Sequence, residues 1–503
     1  MQTVEIQASV AVEAPGFKPP ILVKLAYSLG QAAQNGGFDA AIAFIFFYYS
    51  AVLGLSGTLV GAALAVSLAF DAAVDPVVGS WSDNMQSSLG RRLPLMIMAI
   101  PLICVAIGLL FTPPHGLGQV GLFGWLAVMS VAVRSFISLF NVPYIALGAE
   151  MASDYAARTS VVVYRAFAGL LSSVAVTAIG YSVFFANGGL QRPDGYPGFG
   201  WSVAVLLFVC MTLCCLGIWR YAVALPQPDQ VPGSMLGRLP QELKEIFGNP
   251  SFRLLFVSAV TIFIAIGVNA SLNNHAFVFV WLMKSEKIQF IGYAYLIGIL
   301  LGVSFAPWLQ KLTEKKHVVI IGFLLLIGNW LVLQDAMLLG VYHPLGDAAL
   351  GPMQLNSFVA GIGTGLVSVA YPSMMADAAD EHEFLFGRRR EGLYFAGLGF
   401  AGKAATGLGV MVAGVALDLI KFPRPVAHAA SEALPAAMQF RLVMIWGPVP
   451  AIIAIASLMI LASYRLTRAR HTQIAAKLVD ARRSQSNLQL SQPDGSCIPI
   501  KDP

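Results

Sequence analysis

Stretches of about 20 apolar residues, each long enough to cross a bilayer as a helix, recur roughly twelve times along this chain. They fall at 25–51, 56–82, 92–113, 119–150, 160–186 and 199–225, then at 251–283, 288–310, 317–338, 349–379, 389–420 and 438–465. In hydrocarbon every backbone N–H and C=O must be satisfied within the protein, so each stretch is expected to be a helix and the fold class all-α. Composition excludes a soluble alternative: 57% of the residues are hydrophobic and 11% charged, whereas a soluble domain carries about 25% charged residues. The first 20 residues contain Glu5 and Glu13 and lack a basic start followed by an apolar run, so they do not read as a cleavable signal peptide.

Placing both termini in the cytoplasm puts most of the 31 Lys and Arg residues on that side, among them Arg91, Arg92, Lys315, Lys316, the Arg388 to Arg390 run and the tail from Arg465 to Arg483. The expected location is an integral position in a bacterial inner membrane. Basic loops facing anionic lipid account for the net charge of +5, and no nucleic-acid partner is implied. Cys104, Cys210, Cys214 and Cys215 fall within spans and Cys497 lies alone in the tail, so the cysteines form no disulfide or metal framework. The longest polar stretch before the tail divides the spans into two groups of six. The expected organisation is a cytoplasmic segment 1–24, a six-helix bundle 25–225, a linker 226–250, a second six-helix bundle 251–465 and a cytoplasmic tail 466–503. Pro143 and Glu150 end the fourth span as Pro372 and Asp377 end the tenth, a faint repeat that suits a transporter built from two parallel six-helix units.

Within the second span, Asp71 and Asp75 stand four residues apart, which stacks both carboxylates on one helix face. A charge at mid-bilayer costs at least about 2.5 to 3.5 kcal/mol, so two on one face imply a bound cation, sodium or proton. The competing reading is a structural pair held by Lys403 or Arg134. No nucleophile–base set or metal cluster appears among the spans, which argues against an enzyme. No cofactor is expected beyond a coupling cation.

The segment FDAAVDPVVGSWSDNMQSSLGRR at 70–92, NVPYIALGAEM at 141–151 followed by Arg158, and ADAADEHEFLFGRRREGLYF at 376–395 resemble the signatures of the glycoside-pentoside-hexuronide cation symporters of the major facilitator superfamily. The resemblance implies a twelve-helix major facilitator fold of two six-helix repeats working by alternating access. It implies that Asp71 and Asp75 bind the cation, with Ser138 nearby and Asn141 where the family has a further carboxylate, and that Lys403 matches an eleventh-helix lysine and contacts the substrate. Sugar or glycoside symport is the implied function. Cation-coupled transport of a lysophospholipid or other anionic amphiphile is the alternative.

The departures shift the expected substrate site. Gln34 and Asn35 replace a lysine and a sugar-gripping aspartate, and Asn141 and Ile145 replace an aspartate and a sugar-stacking tryptophan. Asp39, one turn beyond Asn35, and Arg134, near the centre of the fourth span, are candidates for a relocated polar anchor or for a pair that neutralises itself. Arg165 stands near the family's fifth-helix arginine. Asn273, Asn274 and His275 cluster in the seventh span, where Asn274 and His275 are expected to face the substrate or to make helix-to-helix bonds. Gly79, Asp83, Arg91 and Arg92 are expected to form one side of an inner gate, with Asp377, Asp380 and Arg390 on the other.

Overall fold

A computed structural model describes residues 19–85, 87–151, 155–224, 244–388, 390–424 and 434–490. The expectations placed on 1–18, on linker residues 225–243, on Arg389, on Cys497 and on the Arg158 side chain lie outside them. No strand occurs among the described residues.

Among the described residues, eleven helices are long and apolar enough to cross a membrane. These are α2 (Gly57–Asn84), α3 (Leu93–Leu110), α4 (Gln119–Glu150), α5 (Tyr155–Ile179, extended by a π turn at Gly180–Phe184) and α6 (Gly195–Ala224). In the second half they are α7 (Pro250–Phe279), α8 (Ser285–Leu312), α9 (Lys315–Leu338), α10 (Asp347–Phe386), α11 (Glu391–Leu419) and α12, which breaks at Gly447 into Ala436–Trp446 and Pro448–Ala462. The first span, α1, completes the set in pieces. It begins as Ile21–Ala32, turns π-helical over Ala33–Asp39, and turns π-helical again over Tyr48–Val52. The first interruption sits where α5 presses against it: a Cβ on Gly36 would fall 1.9 Å from Ser172 Oγ and 2.4 Å from the Ser172 backbone carbon. A glycine there admits close approach and weakens the regular helix.

In the first half α2 and α3 pack on α4, and α1 packs on α5 and α6; in the second α8 and α9 pack on α10, and α7 packs on α11 and α12. The halves meet where α2 lies along α11 and where α5 meets α8. Small residues set the first contact, since a Cβ on Gly414 would fall 2.0 Å from the Gly57 carbonyl oxygen. Without a hydrophobic drive between helices in lipid, such backbone approach is what holds them. The perimeter carries exposed apolar side chains, including Val120 (83% exposed) and Leu355 (66%), as a lipid-facing surface requires. A last helix, α13 (Arg468–Leu490), follows the spans and is tied back to α10 through Arg470 to Glu381 and His471 to Asp380. Twelve alternating spans put the start of α1 and the end of α12 on one face, here the termini face, with the far face opposite.

Candidate functional site

The one-turn spacing of Asp71 and Asp75 on α2 lets a single cation touch both. In this structure that cation is Lys403 of α11, from the other half: its Nζ lies 3.0 Å from Asp71 Oδ2 and 2.5 Å from Asp75 Oδ2. Asp71 is 5% exposed and accepts a 2.8 Å hydrogen bond from Ser138 Oγ on α4. One turn earlier on α4, Arg134 places Nη1 3.8 Å from Asp71 Oδ2, donates from Nε to Ser67 Oγ at 3.2 Å, and lies over the Phe38 ring at 5.7 Å. Asp39, approached by Gln34 Nε2 at 3.5 Å, lies within electrostatic reach of Arg134 and Asp71. Arg134, Ser138, Asn141 and Ile145 follow a stripe along α4; the first two meet Asp71, and Ile145 is exposed. Three carboxylates therefore face two basic side chains. An excess negative charge in such surroundings is costly unless a further cation or proton joins it.

Beyond this cluster the first half keeps a second polar row. Arg165 Nη2 and Nε both donate to Gln31 Oε1, at 2.6 and 3.2 Å, with the guanidinium over the rings of Tyr144 (5.1 Å) and Tyr27 (5.7 Å). Gln31 in turn donates to Asn35 Oδ1 at 2.7 Å. Arg165 and Asn35 are thus joined through Gln31, which sequence reasoning did not single out.

Of the two readings of Asn274 and His275, the contacts in the structure are helix-to-helix ones. Asn274 Oδ1 accepts from Tyr181 OH at 2.7 Å, and His275 Nε2 lies 3.0 Å from Ser50 Oγ. His275 is enclosed by Phe47 at 4.9 Å and Phe422 at 5.5 Å. Both residues are buried in the seam between the halves near the far face, where a polar group is costly without a hydrogen-bond partner. The same seam carries a contact that sequence reading missed. Asp418 at the end of α11 accepts from the backbone N–H of Gly57 (3.0 Å) and Thr58 (2.8 Å) and from Ser56 Oγ (2.5 Å), and it pairs with Arg424. One half thereby supplies the anionic cap for a helix of the other, the end at which the helix dipole favours negative charge.

Several of the expected gate residues have a partner within their own half. Near the termini face Arg91 and Arg92 both reach Glu150 Oε1, at 2.6 and 2.7 Å, and Arg92 also pairs with Asp83 at 2.7 Å. All are first-half residues, and Gly79 lies one turn before Asp83 with Val142 alongside. In the second half Lys315 pairs with Asp377 at 2.6 Å and His471 approaches Asp380 at 3.0 Å, while Arg390 precedes the start of α11. Glu150, Lys315 and His471 are the partners that sequence reading left out.

A cavity of about 250 Å³ opens inside the second half between α7, α8, α9, α10 and the break in α12. Its polar lining includes Asn269, Asn273, Asn329, Gln334, Asn356 and Thr364. Trp446, at the α12 break, reads two of them at once: its indole donates to Asn273 Oδ1 at 2.8 Å and its carbonyl accepts from Asn269 Nδ2 at 2.9 Å. Asn356 donates to the Asn329 carbonyl at 2.9 Å, and Tyr295 OH lies 2.9 Å from Thr364 Oγ1. The i, i+4 spacing of Asn269 and Asn273 was the available signal.

Two six-helix bundles joined along α2 and α11, with a charge cluster bridging them part-way along the spans, define a membrane transporter of the major facilitator class. The chain belongs to the family of MFS/sugar transport proteins, whose sequence model matches residues 26–468; this is the group of symporters to which the motifs pointed. Among its relatives is the inner membrane symporter YicJ of Escherichia coli (strain K12), 25% identical over 392 residues that cover 77% of this chain and 80% of that protein. The putative glycoside/cation symporter YagG of the same organism is 24% identical, covering 92% and 95%. A solved D-xylose-proton symporter shares the fold with a TM-score of 0.60 at 15% identity, covering 87% of this chain and 96% of that one.

Proposed function

We propose that the protein is a secondary active carrier that couples the downhill movement of Na+ or H+ to uptake of a sugar or glycoside, with no catalytic step. The observation that carries this reading is the bridge from Lys403 to Asp71 and Asp75 across the two halves. The lysine ammonium stands where a coupling cation would be held by Asp71, Asp75, Ser138 and Asn141. A cation arriving there must displace Lys403, and displacement removes one tie between α2 and α11. Ion occupancy in one half is in this way felt by the other. With the site empty, Lys403 and Arg134 together offset the charge of Asp71 and Asp75, so the unloaded carrier can reorient without carrying two bare charges through a low-dielectric region.

Asn35, Asp39, Arg134, Asn141, Ile145 and Arg165 form the first half's side of the path taken by the cargo. With both termini in the cytoplasm of a bacterial cell, the far face is external and the Asp418 contacts belong to a state closed to the outside. The Gly79, Asp83, Arg91 and Arg92 group and the Asp377, Asp380 and Arg390 group then serve the inner gate. An anionic amphiphile draws less support as cargo, because Arg134, its expected headgroup anchor, is already engaged by Asp71 and Ser67. The test is transport in proteoliposomes. Counterflow of a neutral glycoside, with accumulation driven by a sodium or proton gradient and lost in Asp71→Asn, is the expected result. Gradient-driven accumulation undiminished in that variant would refute the ion assignment.

A further inference from the structure

The second half's cavity contributes nothing to the charge cluster, and neither the family signatures nor the ion reading uses it. We propose that this cavity seats the hydroxylated ring of the cargo and selects a neutral sugar over an acidic one. The inference rests on the carrier reading above and deepens it by assigning where, and by what chemistry, the cargo is recognised.

Four observations converge. At about 250 Å³ the cavity lies just below the usual range of small-molecule sites, which suits one sugar ring and not a lipid tail. Its chemistry is that of carboxamides, each with two donors and one acceptor oxygen, matched to hydroxyls that both donate and accept. Their internal bonds leave complementary groups for a ligand: Trp446 holds the oxygen of Asn273 and the NH2 of Asn269, so the Asn273 NH2 and the Asn269 oxygen remain. Asn356 likewise spends its NH2 on a backbone carbonyl and keeps its oxygen. Gln334, buried in the same wall, has an Oε1 with no partner among the described residues. An unpaired buried acceptor is costly and calls for a donor.

The third observation is the aromatic wall of Tyr295, Trp330 and Trp446, whose electron-rich faces suit the C–H face of a sugar ring. The fourth is charge. Among the described residues the lining holds no charged side chain, so a uronate carboxylate would be buried there without a counter-ion. Placement also fits coupling. Asn269 and Asn273 lie on α7, which touches α11 backbone to backbone, since a Cβ on Gly267 would fall 2.5 Å from the Thr406 carbonyl oxygen. Lys403 and the two cavity amides therefore sit on a pair of helices whose backbones are in close contact.

Gly292 on α8 supplies the test. It lines the cavity, and a Cβ added there meets nothing within 4 Å, so a side chain can begin there without a clash at its first atom, and leucine in place of glycine favours the helix. Purified wild type, Gly292→Leu and Asn273→Asp are titrated by calorimetry with glucose, xylose, methyl glucoside and glucuronate, alongside thermal midpoints with and without Na+ and across pH. Wild type is expected to bind a neutral sugar of the set and to reject glucuronate, and both variants should weaken the neutral sugar by about tenfold or more. Gly292→Leu should keep its midpoint and its cation response. Neutral-sugar affinity within about twofold of wild type in Gly292→Leu overturns the proposal while leaving the carrier reading intact; if Gly292→Leu does not fold, the same outcome in Asn273→Asp does so. Equal binding of glucuronate overturns the selectivity. A wild type that neither binds nor exchanges any sugar of the set defeats the sugar-carrier reading itself.

Discussion

The two halves share a six-helix plan yet distribute their polar groups in opposite ways. The first half carries its polarity as charge: Asp39, Asp71, Asp75 and Arg134 gather on α1, α2 and α4, with Arg165 on α5. The second half carries it as neutral amides around a cavity and lends a single lysine, Lys403, to the cluster opposite. Charge answers charge over a distance and is costly to leave unpaired, so a cluster of this kind suits an ion that comes and goes. Amides recognise hydroxyls at contact and hold no charge that must be balanced when the site empties. The difference suggests a division in which one half reads the ion, the other reads the cargo, and α11 joins the two readings.

Removing the joint should have the largest effect. Among the described residues, Lys403→Gln leaves Asp71 with Ser138 and the more distant Arg134, and leaves Asp75 without its partner. Breaking a fully buried pair costs about 3 to 5 kcal/mol; Lys403 is 36% exposed, so we expect about 1 to 3 kcal/mol in cation-free protein. The loss should be largely recovered when the coupling cation is added, as a drop and return of the thermal midpoint will show. A midpoint indifferent to both changes would mean that the bridge is incidental.

Asp418→Asn should come next. The asparagine keeps part of the cap on α2 but loses the ion pair with Arg424, a change worth about 0.5 to 2 kcal/mol. It acts on the contact between the halves at the far face, so the far-face-open population should rise by about 2- to 30-fold. Alkylation of Ser50→Cys, a position sealed in that seam, reports it; labelling no faster than in the parent would show that Asp418 caps a helix and does not latch the halves. The smallest effect is expected at Asp83. Its carboxylate is 56% exposed and its partner Arg92 keeps Glu150, so Asp83→Asn should change stability by no more than about 1 kcal/mol. A larger loss would point to a cross-half role in the opposite conformation, which labelling at the termini face would reveal.

What the sequence disclosed and what it withheld follow from the range of the forces involved. The spans were legible because lipid imposes length and apolarity locally; α4 and α9 end where the pattern places them. α10 runs on to Phe386, beyond the expected 379, because its charged end is no longer in lipid and pairs with α13 through Glu381 and Asp380. Asp71 and Asp75 stood out as isolated charges, and Lys403 was legible as their competing partner. The register of the seventh span was not. Its residues are apolar nearly all round, so packing alone decides that Asn273 faces the cavity while Asn274 and His275 face the seam. The break in α1 depends on Ser172 and the cap on α2 depends on Asp418. Each is set by a residue remote in sequence, and no local pattern encodes it.

The division between the halves is most directly tested by crossing two variants in one titration. Asp75→Asn and Gly292→Leu are each measured for sugar affinity by calorimetry, with and without the coupling cation, and for cation-dependent thermal stabilisation. Asp75→Asn is expected to lose cation dependence while holding sugar affinity within about threefold of cation-free wild type, and Gly292→Leu to lose about tenfold or more in sugar affinity while its cation response stays. Loss of both properties in either single variant would contradict the division, because ion and cargo would then share one site.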